Sequence, residues 1–221
     1  TSPSGVEAWL VEEHAVPMIA VEFSFKGGSS HDPAGKEGLA NLLSSLLDEG
    51  AGDLPSQAFQ TKLEDLAIEF SFHDEPDRFG GAMKTLSEHR EEAFSLLAAA
   101  LQKPRFDAEA IERMRVQTIA ALRQASKNPE SVASRLWGET EFPGHPYGRP
   151  AEGTEATVSA LTRDDIVAAH RRIFTRDGLK IAVVGDIDAA TLAPLLDKLF
   201  AKLPAEGALT SVAETKPAAA A

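Results

Sequence analysis

Hydrophobic residues recur along the chain with two different periods, and the change between these periods predicts its elements. Residues 6–14 and 18–30 have the pattern of β-strands, because apolar and polar side chains alternate. In the second run the apolar positions are Ile19, Val21, Phe23 and Phe25. Residues 67–76 alternate in the same way. Residues 77–86 give a weaker strand prediction, because two consecutive glycines offer no side chain for packing.

Most of the remaining chain has apolar residues three and four positions apart, the spacing of an amphipathic helix. This spacing predicts helices at 36–49, 56–67, 87–102, 107–126, 129–140, 162–174 and 189–203. Ser56, Asp107 and Thr162 are the predicted N-caps of three of them. Residues 142–154 contain three glycines and three prolines, which predicts a loop. The segment 179–188 contains a predicted buried strand, which ends at Gly185.

The order of these elements predicts an α+β fold, with helices packed on an open, mostly antiparallel sheet. Strands come first, a series of helices follows, and one strand and one helix close the pattern. We assign residues 1–205 to a single domain. Residues 206–221 are rich in alanine and have no apolar periodicity. They are therefore predicted to be a linker or tail that leads to a second domain.

The helix predicted at 36–49 carries the first candidate site. At about 100° per residue its leucines form one stripe. The opposite side holds Asn41, Ser44, Ser45 and Asp48. Asn41 and Ser45 stand four residues apart, a spacing at which two helical side chains converge on a metal. Neither an amide nor a hydroxyl belongs to the usual zinc ligands. From the pattern alone, this is an ordinary amphipathic helix with buried leucines.

Composition excludes several classes of function. The 221 residues include 22 Lys plus Arg and 34 Asp plus Glu, giving a net charge of −12. Such a surface repels phosphate backbones and argues against a nucleic-acid partner. There is no cysteine, so disulfides and thiolate chemistry are excluded. No apolar run approaches the roughly 20 residues of a membrane helix, so no membrane insertion is expected.

The histidines give no further metal site in the sequence. No two of the six lie three or four positions apart. The "HDE" at 73–75 is interpreted as a solvated strand end, and His145 in "GHPYG" as a turn residue. Ser44 and Ser45 could act as nucleophiles only beside a histidine base, and the sequence places none near them.

The run "VEEHAVPMIAVEFSFKGGSSHDPAGKEGLANLLSSLLDEG" resembles the start of a pitrilysin/insulinase-type zinc metallopeptidase, of the kind that includes mitochondrial processing peptidase. The segments "AIERMRVQTIAALRQ", "HPYGRPAEGT", "LTRDDIVAAHRRIF" and "IAVVGDID" resemble the segments that follow in one family domain. The resemblance thus covers about residues 6–203. The family helix reads roughly G-L-A-H-x-x-E-H-x-L-x-x-G, the inverted zinc motif.

Laid on this motif, the first histidine is Asn41, the glutamate is Ser44 and the second histidine is Ser45. The distal glutamate ligand corresponds to Ala121, or to Leu122 if the alignment shifts by one residue. A zinc site of this type needs two imidazoles, a carboxylate and a general base. All four positions differ here. The resemblance therefore implies a domain that is not an enzyme, with no catalytic residue, no metal and no cofactor.

The resemblance also implies where a substrate would bind and which partner the chain would have. The family strand that lies along the substrate often carries a small Asn–Ala pair. The corresponding residues here are Ser71 and Phe72, which are weak substrate-binding candidates because a bulky Phe obstructs the usual mode. In bacteria, one subunit often carries the zinc motif and a second subunit completes the peptide chamber. We therefore expect a heterodimer with a zinc-bearing sister subunit that acts on peptides in proteolysis.

Three further expectations follow from the same resemblance. The Arg–Tyr pair with which a silent subunit contacts substrate belongs to its second domain and has no position in this chain. Exported bacterial relatives favour the periplasm, with the cytoplasm still open. Two other functions remain alternatives: a scaffold or assembly protein without a proteolytic partner, and an active hydrolase with an unrecognised site.

Overall fold

A computed structural model describes residues 1–216 and 218, and its main feature is a five-stranded sheet. The strands of this sheet are β1 (Trp9–Glu12), β2 (Met18–Lys26), β5 (Glu69–Asp74), β6 (Arg78–Leu86) and β7 (Lys180–Gly185). Two short strands, β3 (Gly50–Ala51) and β4 (Leu54–Pro55), pair separately. The order across the sheet is β1-β7-β2-β6-β5. Strands β1 and β7 are parallel, and the other neighbours are antiparallel.

The apolar spacing predicts seven of the helices, mostly with longer ends than the structure has, and misses the short one at 155–160. The described residues form eight α-helices in all. They are α1 (Leu39–Ser44), α2 (Ser56–Asp65), α3 (Arg90–Gln102), α4 (Ala108–Ala125), α5 (Pro129–Glu141), α6 (Glu155–Ala160), α7 (Arg163–Ile173) and α8 (Ala189–Phe200). Thr162 caps α7 as predicted. The prediction for Ser56 is wrong, because Pro55 occupies the N-cap position of α2 and Ser56 is the first helical residue. Asp107 is at the N-cap position of α4 as predicted, but its side chain makes no capping hydrogen bond. The predicted α+β class, an open and mostly antiparallel sheet with helices packed on it, is confirmed.

One face of the sheet buries an aromatic core that fixes α7 and α8 on it. The inward side chains of β2 are at most 3% exposed, as their alternation predicts. The ring of Phe25 lies 4.8 Å from that of Phe174, which follows α7. The ring of Phe23 lies 5.8 Å from that of Phe200 in α8. Each such burial contributes roughly 1.5–3 kcal/mol, so these helices are held firmly against the sheet.

Helix α1 is shorter than the predicted helix at 36–49, and its serines explain why. The hydroxyl of Ser44 donates to the carbonyl of Asn41 at 2.7 Å, and that of Ser45 to the carbonyl of Leu42 at 2.9 Å. Such local bonds compete with the helical ladder. Beyond Ser44 the backbone continues as turns, with the amide of Leu46 donating to the carbonyl of Leu43 at 3.1 Å. The leucine stripe is nevertheless buried.

The two glycines that weakened the prediction for β6 lie beneath aromatic rings of neighbouring strands. Gly80 pairs with His73, and a Cβ built on Gly80 would lie 2.3 Å from the His73 imidazole. A Cβ on Gly81 would lie 2.5 Å from the ring of Phe23 and 2.9 Å from that of Phe72. The rings fill the space that larger side chains would occupy, so the strand forms with glycines at these positions.

The other face of the sheet carries an exposed apolar strip beside β1. Trp9 pairs with Ala182, and Val11 pairs with Val184, which in turn pairs with Ala20. Laterally paired residues project from the same face of a sheet. Trp9 is 67% exposed, and the apolar strip as a whole consists of the exposed residues Trp9, Val11, Met18 and Val184. Because β1 is also an edge strand, this corner of the sheet offers both apolar surface and backbone hydrogen-bonding groups.

Candidate functional site

Helices α1 and α4, strand β5 and the loop at 147–153 meet around two adjoining clefts. The first cleft has a volume of about 990 Å³ and lies between α4, α5, that loop and Asn41. The second cleft has a volume of about 480 Å³ and lies between α1, β5 and the first half of α4. Gln117 of α4 lines both clefts. The two clefts therefore adjoin each other at Gln117.

Asn41 projects into the first cleft and is held there by a neighbour on the sheet. Its Nδ2 donates to Asp74 Oδ1 at 3.1 Å. Burial raises the pKa of the Asp74 carboxyl, the bond from Asn41 opposes this rise, and the nearby charge of Glu152 adds to it. Glu152 lines the same cleft. The amide of Asn41 is therefore part of a hydrogen bond that ties α1 to the end of β5.

Ser44 and Ser45 line the second cleft together with Ser71 and Phe72. Ser44 is only 8% exposed. The hydroxyl protons of both serines are engaged by carbonyls of their own helix. At the rim of this cleft Arg113 forms an ion pair with Glu49, which also accepts a hydrogen bond from Ser56. The serines thus act as local backbone partners, and neither has a histidine hydrogen-bonded to it.

Ala121 and Leu122 line the first cleft, on the α4 side of Asn41. The structure therefore brings three of the candidate positions into one cleft, Asn41 with Ala121 and Leu122. It places the others, Ser44, Ser45, Ser71 and Phe72, in the neighbouring cleft. Sequence reasoning missed Gln117, which connects the two clefts. Its position one helical turn before Ala121 is the signal that could have found it.

These side chains do not fit a zinc ion of the kind that the inverted motif binds. Zinc in such a site takes imidazole nitrogens and a carboxylate oxygen. Asn41 and Ser45 offer an amide and a hydroxyl that already have partners, and Ala121 offers no donor atom. Within residues 1–216 and 218, no group of three or more His, Asp or Glu side chains is placed to hold a metal ion. The two clefts therefore lack the donor atoms that zinc chemistry of this kind requires.

A buried carboxylate, that of Asp32, holds the start of α1. Asp32 is 3% exposed. Its Oδ2 accepts from the amides of Gly38 and Leu39 at 3.1 and 2.9 Å, and its Oδ1 accepts from Ala40 at 3.1 Å. Burial raises the pKa of this carboxyl to about 7, against the lowering effect of the amide donors. Asp32 therefore orients the helix that carries Asn41.

Ser71 and Phe72 lie on β5, which is the other edge strand of the sheet. Ser71 is exposed. Phe72 is half-buried, and its ring lies 6.4 Å from that of Phe23 and 6.2 Å from that of Phe70. Phe72 thus turns largely toward the core, although part of it lines the second cleft. The part of Phe72 that lines the second cleft lies beside the free edge of β5.

The remaining histidines in the sequence analysis have structural contacts. The imidazole of His73 covers Gly80. His145 caps the short 3₁₀ helix Pro146–Gly148, because its Nδ1 accepts from the amide of Tyr147 at 3.2 Å.

Among the described residues, no helix combines the length and the apolar character that crossing a membrane requires.

Comparison with protein families gives two matches along the chain. Residues 9–155 match the family described as Insulinase (Peptidase family M16). Residues 160–220 match the one described as Peptidase M16 inactive domain. The first match includes α1, β5 and α4, which form the two clefts, and it therefore covers every candidate position.

Curated relatives share this pattern along much of the chain. A protein of Helicobacter pylori named "Non-peptidase homolog YmxG" is 27% identical over 176 residues, which is 80% of this chain and 41% of the relative. The mitochondrial-processing peptidase subunit beta of Lentinula edodes is 24% identical over 80% of this chain and 38% of its own. The chain thus spans about two fifths of the length of these relatives.

Solved structures agree in fold. The peptidase M16 inactive domain from Pseudomonas fluorescens superposes with a TM-score of 0.90 at 26% identity, over 99% of this chain and 53% of its own. Pitrilysin superposes with a TM-score of 0.80 at 21% identity, over 91% of this chain and 22% of its own. The second similarity is one of fold.

Proposed function

The chain belongs to the insulinase family, peptidase family M16, and we propose that it is a non-catalytic member that completes the peptide-binding chamber of a zinc-bearing sister subunit. In this role it supplies a wall for unstructured peptides and does not itself cleave them. The sister subunit supplies zinc and the general base. Proteolysis then depends on the pair.

The observation that carries this proposal is the state of the two clefts. They are open and lie where α1, α4 and β5 meet, yet the ligand positions hold Asn41, Ser45 and Ala121. The side chains that remain are engaged in bonds that stabilise the wall, such as the one from Asn41 to Asp74. Open clefts whose walls lack metal-binding side chains can hold a peptide while another subunit supplies the zinc. The names of two relatives, a non-peptidase homolog and an M16 inactive domain, support the same interpretation.

The proposal also requires a surface on which a partner can dock, and the apolar strip supports it. Exposed apolar patches on soluble proteins are frequent at interaction sites. The apolar strip combines Trp9, Val11, Met18 and Val184 with the unpaired edge of β1. Burying a Trp at the centre of an interface commonly contributes a large part of the binding energy. A sister subunit, or a second domain of the full-length protein, could cover this surface.

The experiment is reconstitution of the full-length protein with a sister subunit that has the intact H-x-x-E-H motif. The two are co-purified, and hydrolysis of an unstructured fluorogenic peptide is measured for the sister alone and for the pair. We expect co-purification and hydrolysis that needs both chains. If the sister cleaves peptides equally well alone, the chamber role is wrong, and a scaffold function gains support. If the unmodified chain cleaves peptides by itself, it has a catalytic site elsewhere.

A variant of Gln117 tests the wall itself. Gln117 is exposed and lines both clefts, so Gln117→Trp should obstruct them without disturbing the core. We expect the pair to assemble normally but to lose at least about tenfold in kcat/KM for peptides, since one badly placed group can cost this much. Gln57→Trp is the matched control, because Gln57 is also an exposed helical glutamine and lies on α2 outside both clefts. Equal activity of the two variants would contradict a peptide-binding wall.

We propose the periplasm as the location of the full-length protein. The support is the resemblance to exported bacterial family members. Fractionation of cells that express the full-length protein tests this, with recovery in the cytoplasmic fraction as the contradicting result.

A further inference from the structure

The segment that follows α8 lies against the domain, although it forms no helix or strand. We call residues 204–213 the strap. At its start the amide of Arg176 donates to the carbonyl of Pro204 at 2.8 Å. Further along, Leu209 is half-buried, and a Cβ built on Gly27 would lie 3.2 Å from both Leu209 and Ile173. Leu209 thus fills a position between the end of β2 and the end of α7 that a glycine leaves open.

His145 connects the strap to the loop at 147–153, and we take residues 145–153 together as the extended loop. Its Nε2 lies 2.9 Å from the carbonyl oxygen of Ala213, and its Nδ1 lies 3.2 Å from the amide nitrogen of Tyr147. A carbonyl only accepts and an amide only donates. His145 is therefore assigned as the neutral tautomer with its proton on Nε2. In this form one imidazole satisfies a group of the strap and a group of the loop.

Further hydrogen bonds connect the strap and the loop to the turn between β5 and β6. The hydroxyl of Tyr147 donates to Asp77 Oδ2 at 2.8 Å, and the hydroxyl of Ser30 donates to Asp77 Oδ1 at 3.0 Å. The Nδ1 of His31 lies 3.1 Å from the Ser30 hydroxyl, and His31 lines a small cleft together with Thr210 of the strap. Strap, loop and the turn between β5 and β6 thus share one network.

The same loop forms the floor of the first cleft. Residues 147–153 line it opposite α4. Arg149 anchors the loop from behind, because its guanidinium donates to the carbonyls of Asp32 and Ser30 at 2.9 and 3.1 Å. The face of the loop that meets the cleft and the face that meets the strap are therefore parts of one short, continuous segment.

We infer that the strap is a docked part of the domain that, through His145, holds the loop at 145–153 and so sets the floor of the first cleft. The strap is a fixed support, not a free linker. This inference does not depend on the proposed peptide-binding function, since the contacts that carry it all lie within this chain. His145 is accordingly a positioning residue.

Hydrogen–deuterium exchange on the chain tests the inference by releasing the strap without touching the loop. In Leu209→Ser the apolar side chain that packs beside Gly27 is lost. We expect amides of the strap and of residues 145–153 to exchange faster, by roughly tenfold or more, because local opening is then easier. Amides of β2 and β6 should be unchanged, which shows that the variant is folded. Ala208→Ser, at an exposed strap position, is the control and should exchange like the wild type.

A pair of His145 variants separates the strap bond from the cap on the 3₁₀ helix. Asparagine is a good capping residue but is too short to reach the carbonyl of Ala213. If the strap holds the loop, His145→Asn and His145→Ala should both accelerate exchange at 145–153. If His145 acts only as a local cap, His145→Asn should behave like the wild type. Protection of the loop that persists in both Leu209→Ser and His145→Asn would overturn the inference.

Discussion

At the scale of single residues, the polar side of α1 is occupied by groups that bond to the protein itself. The amide of Asn41 reaches Asp74, and the hydroxyls of Ser44 and Ser45 return to carbonyls of α1. Asn41 and Ala121, which the resemblance to a zinc motif pairs, line one cleft, and their correspondence to zinc-ligand positions stays a prediction. The partnership with Asp74 was not predictable, because it depends on where β5 ends relative to α1.

Leu43 and Ser44 are neighbours whose replacement should have very different effects. Leu43 is fully buried, so Leu43→Ala should lower the free energy of unfolding by roughly 2–5 kcal/mol through lost burial and a new cavity. Ser44→Ala removes one local hydrogen bond and should cost about 0.5–1.5 kcal/mol. Urea unfolding of both variants gives the comparison. A larger loss for Ser44→Ala would mean that α1 is rotated from the orientation described.

Asp32 should make stability depend on pH. The carboxyl has an ordinary pKa of 3.8 when unfolded and about 7 when folded. Between these values the folded state binds more protons, so stability falls as pH rises from about 4 to 7, by up to about 4 kcal/mol. Asp32→Asn should flatten this dependence, and the exposed Asp53→Asn should not. Parallel pH profiles for the wild type and Asp32→Asn would show that the three amide donors keep Asp32 ionised.

At the scale of elements, the periodicity of hydrophobic residues predicted most of the helices and strands. Local side-chain hydrogen bonds and packing determine where these elements end. Alternation predicted β2 because one of its faces is buried and the other is not. The predicted helix at 36–49 was too long, since periodicity does not register the competing serine hydroxyls. Helix α6 was missed because six residues show too little period. The strand β6 was given too little weight, because a sequence does not show that rings from other strands cover its glycines.

The covered glycine in β6 gives a prediction about packing. Gly81→Val would place atoms against Phe23 and Phe72 at distances that no Cβ tolerates, and Phe23 is itself confined by Phe25 and Phe200. We expect a loss of about 1–3 kcal/mol from overpacking, or more if the ring cannot move. Ala82→Val, on the opposite face of the same strand, should be nearly neutral. Thermal unfolding of the two variants distinguishes them, and similar melting temperatures would contradict the described ring positions.

At the scale of the whole molecule, the two clefts depend on elements that are distant in sequence. Their walls come from α1, β5, α4, α5 and the loop at 147–153, and the strap supports that loop from outside. Residues 206–221 were predicted to be a linker or tail. The boundary at 205 stays a prediction, and it competes with our inference that residues 206–213, as part of the strap, dock on the domain. Residues 217 and 219–221 of this range lie outside the described residues.

Metal binding should require positions from both α1 and α4. We expect the purified chain to retain no stoichiometric zinc after dialysis, measured by atomic emission. The triple variant Asn41→His, Ser44→Glu, Ser45→His should bind zinc weakly. Adding Ala121→Glu should tighten binding by on the order of tenfold or more, because it supplies the missing third ligand. Leu122→Glu in its place is the control for the alignment. One tightly held zinc in the unmodified chain would refute the assignment of these positions.

The place of β7 between β1 and β2 bears on the order in which the chain can fold. Trp9 pairs with Ala182, and Ile19 pairs with Gly185, so the first two strands meet their shared neighbour only after most of the chain has been synthesised. Pairings between residues so far apart form slowly, since a long loop must close before any bond is gained. Until then a nascent chain holds β1 and one side of β2 open, as extended segments with unpaired backbone groups. In this form, while the chain is still on the ribosome, Trp9 and Val11 are accessible for a chaperone to bind.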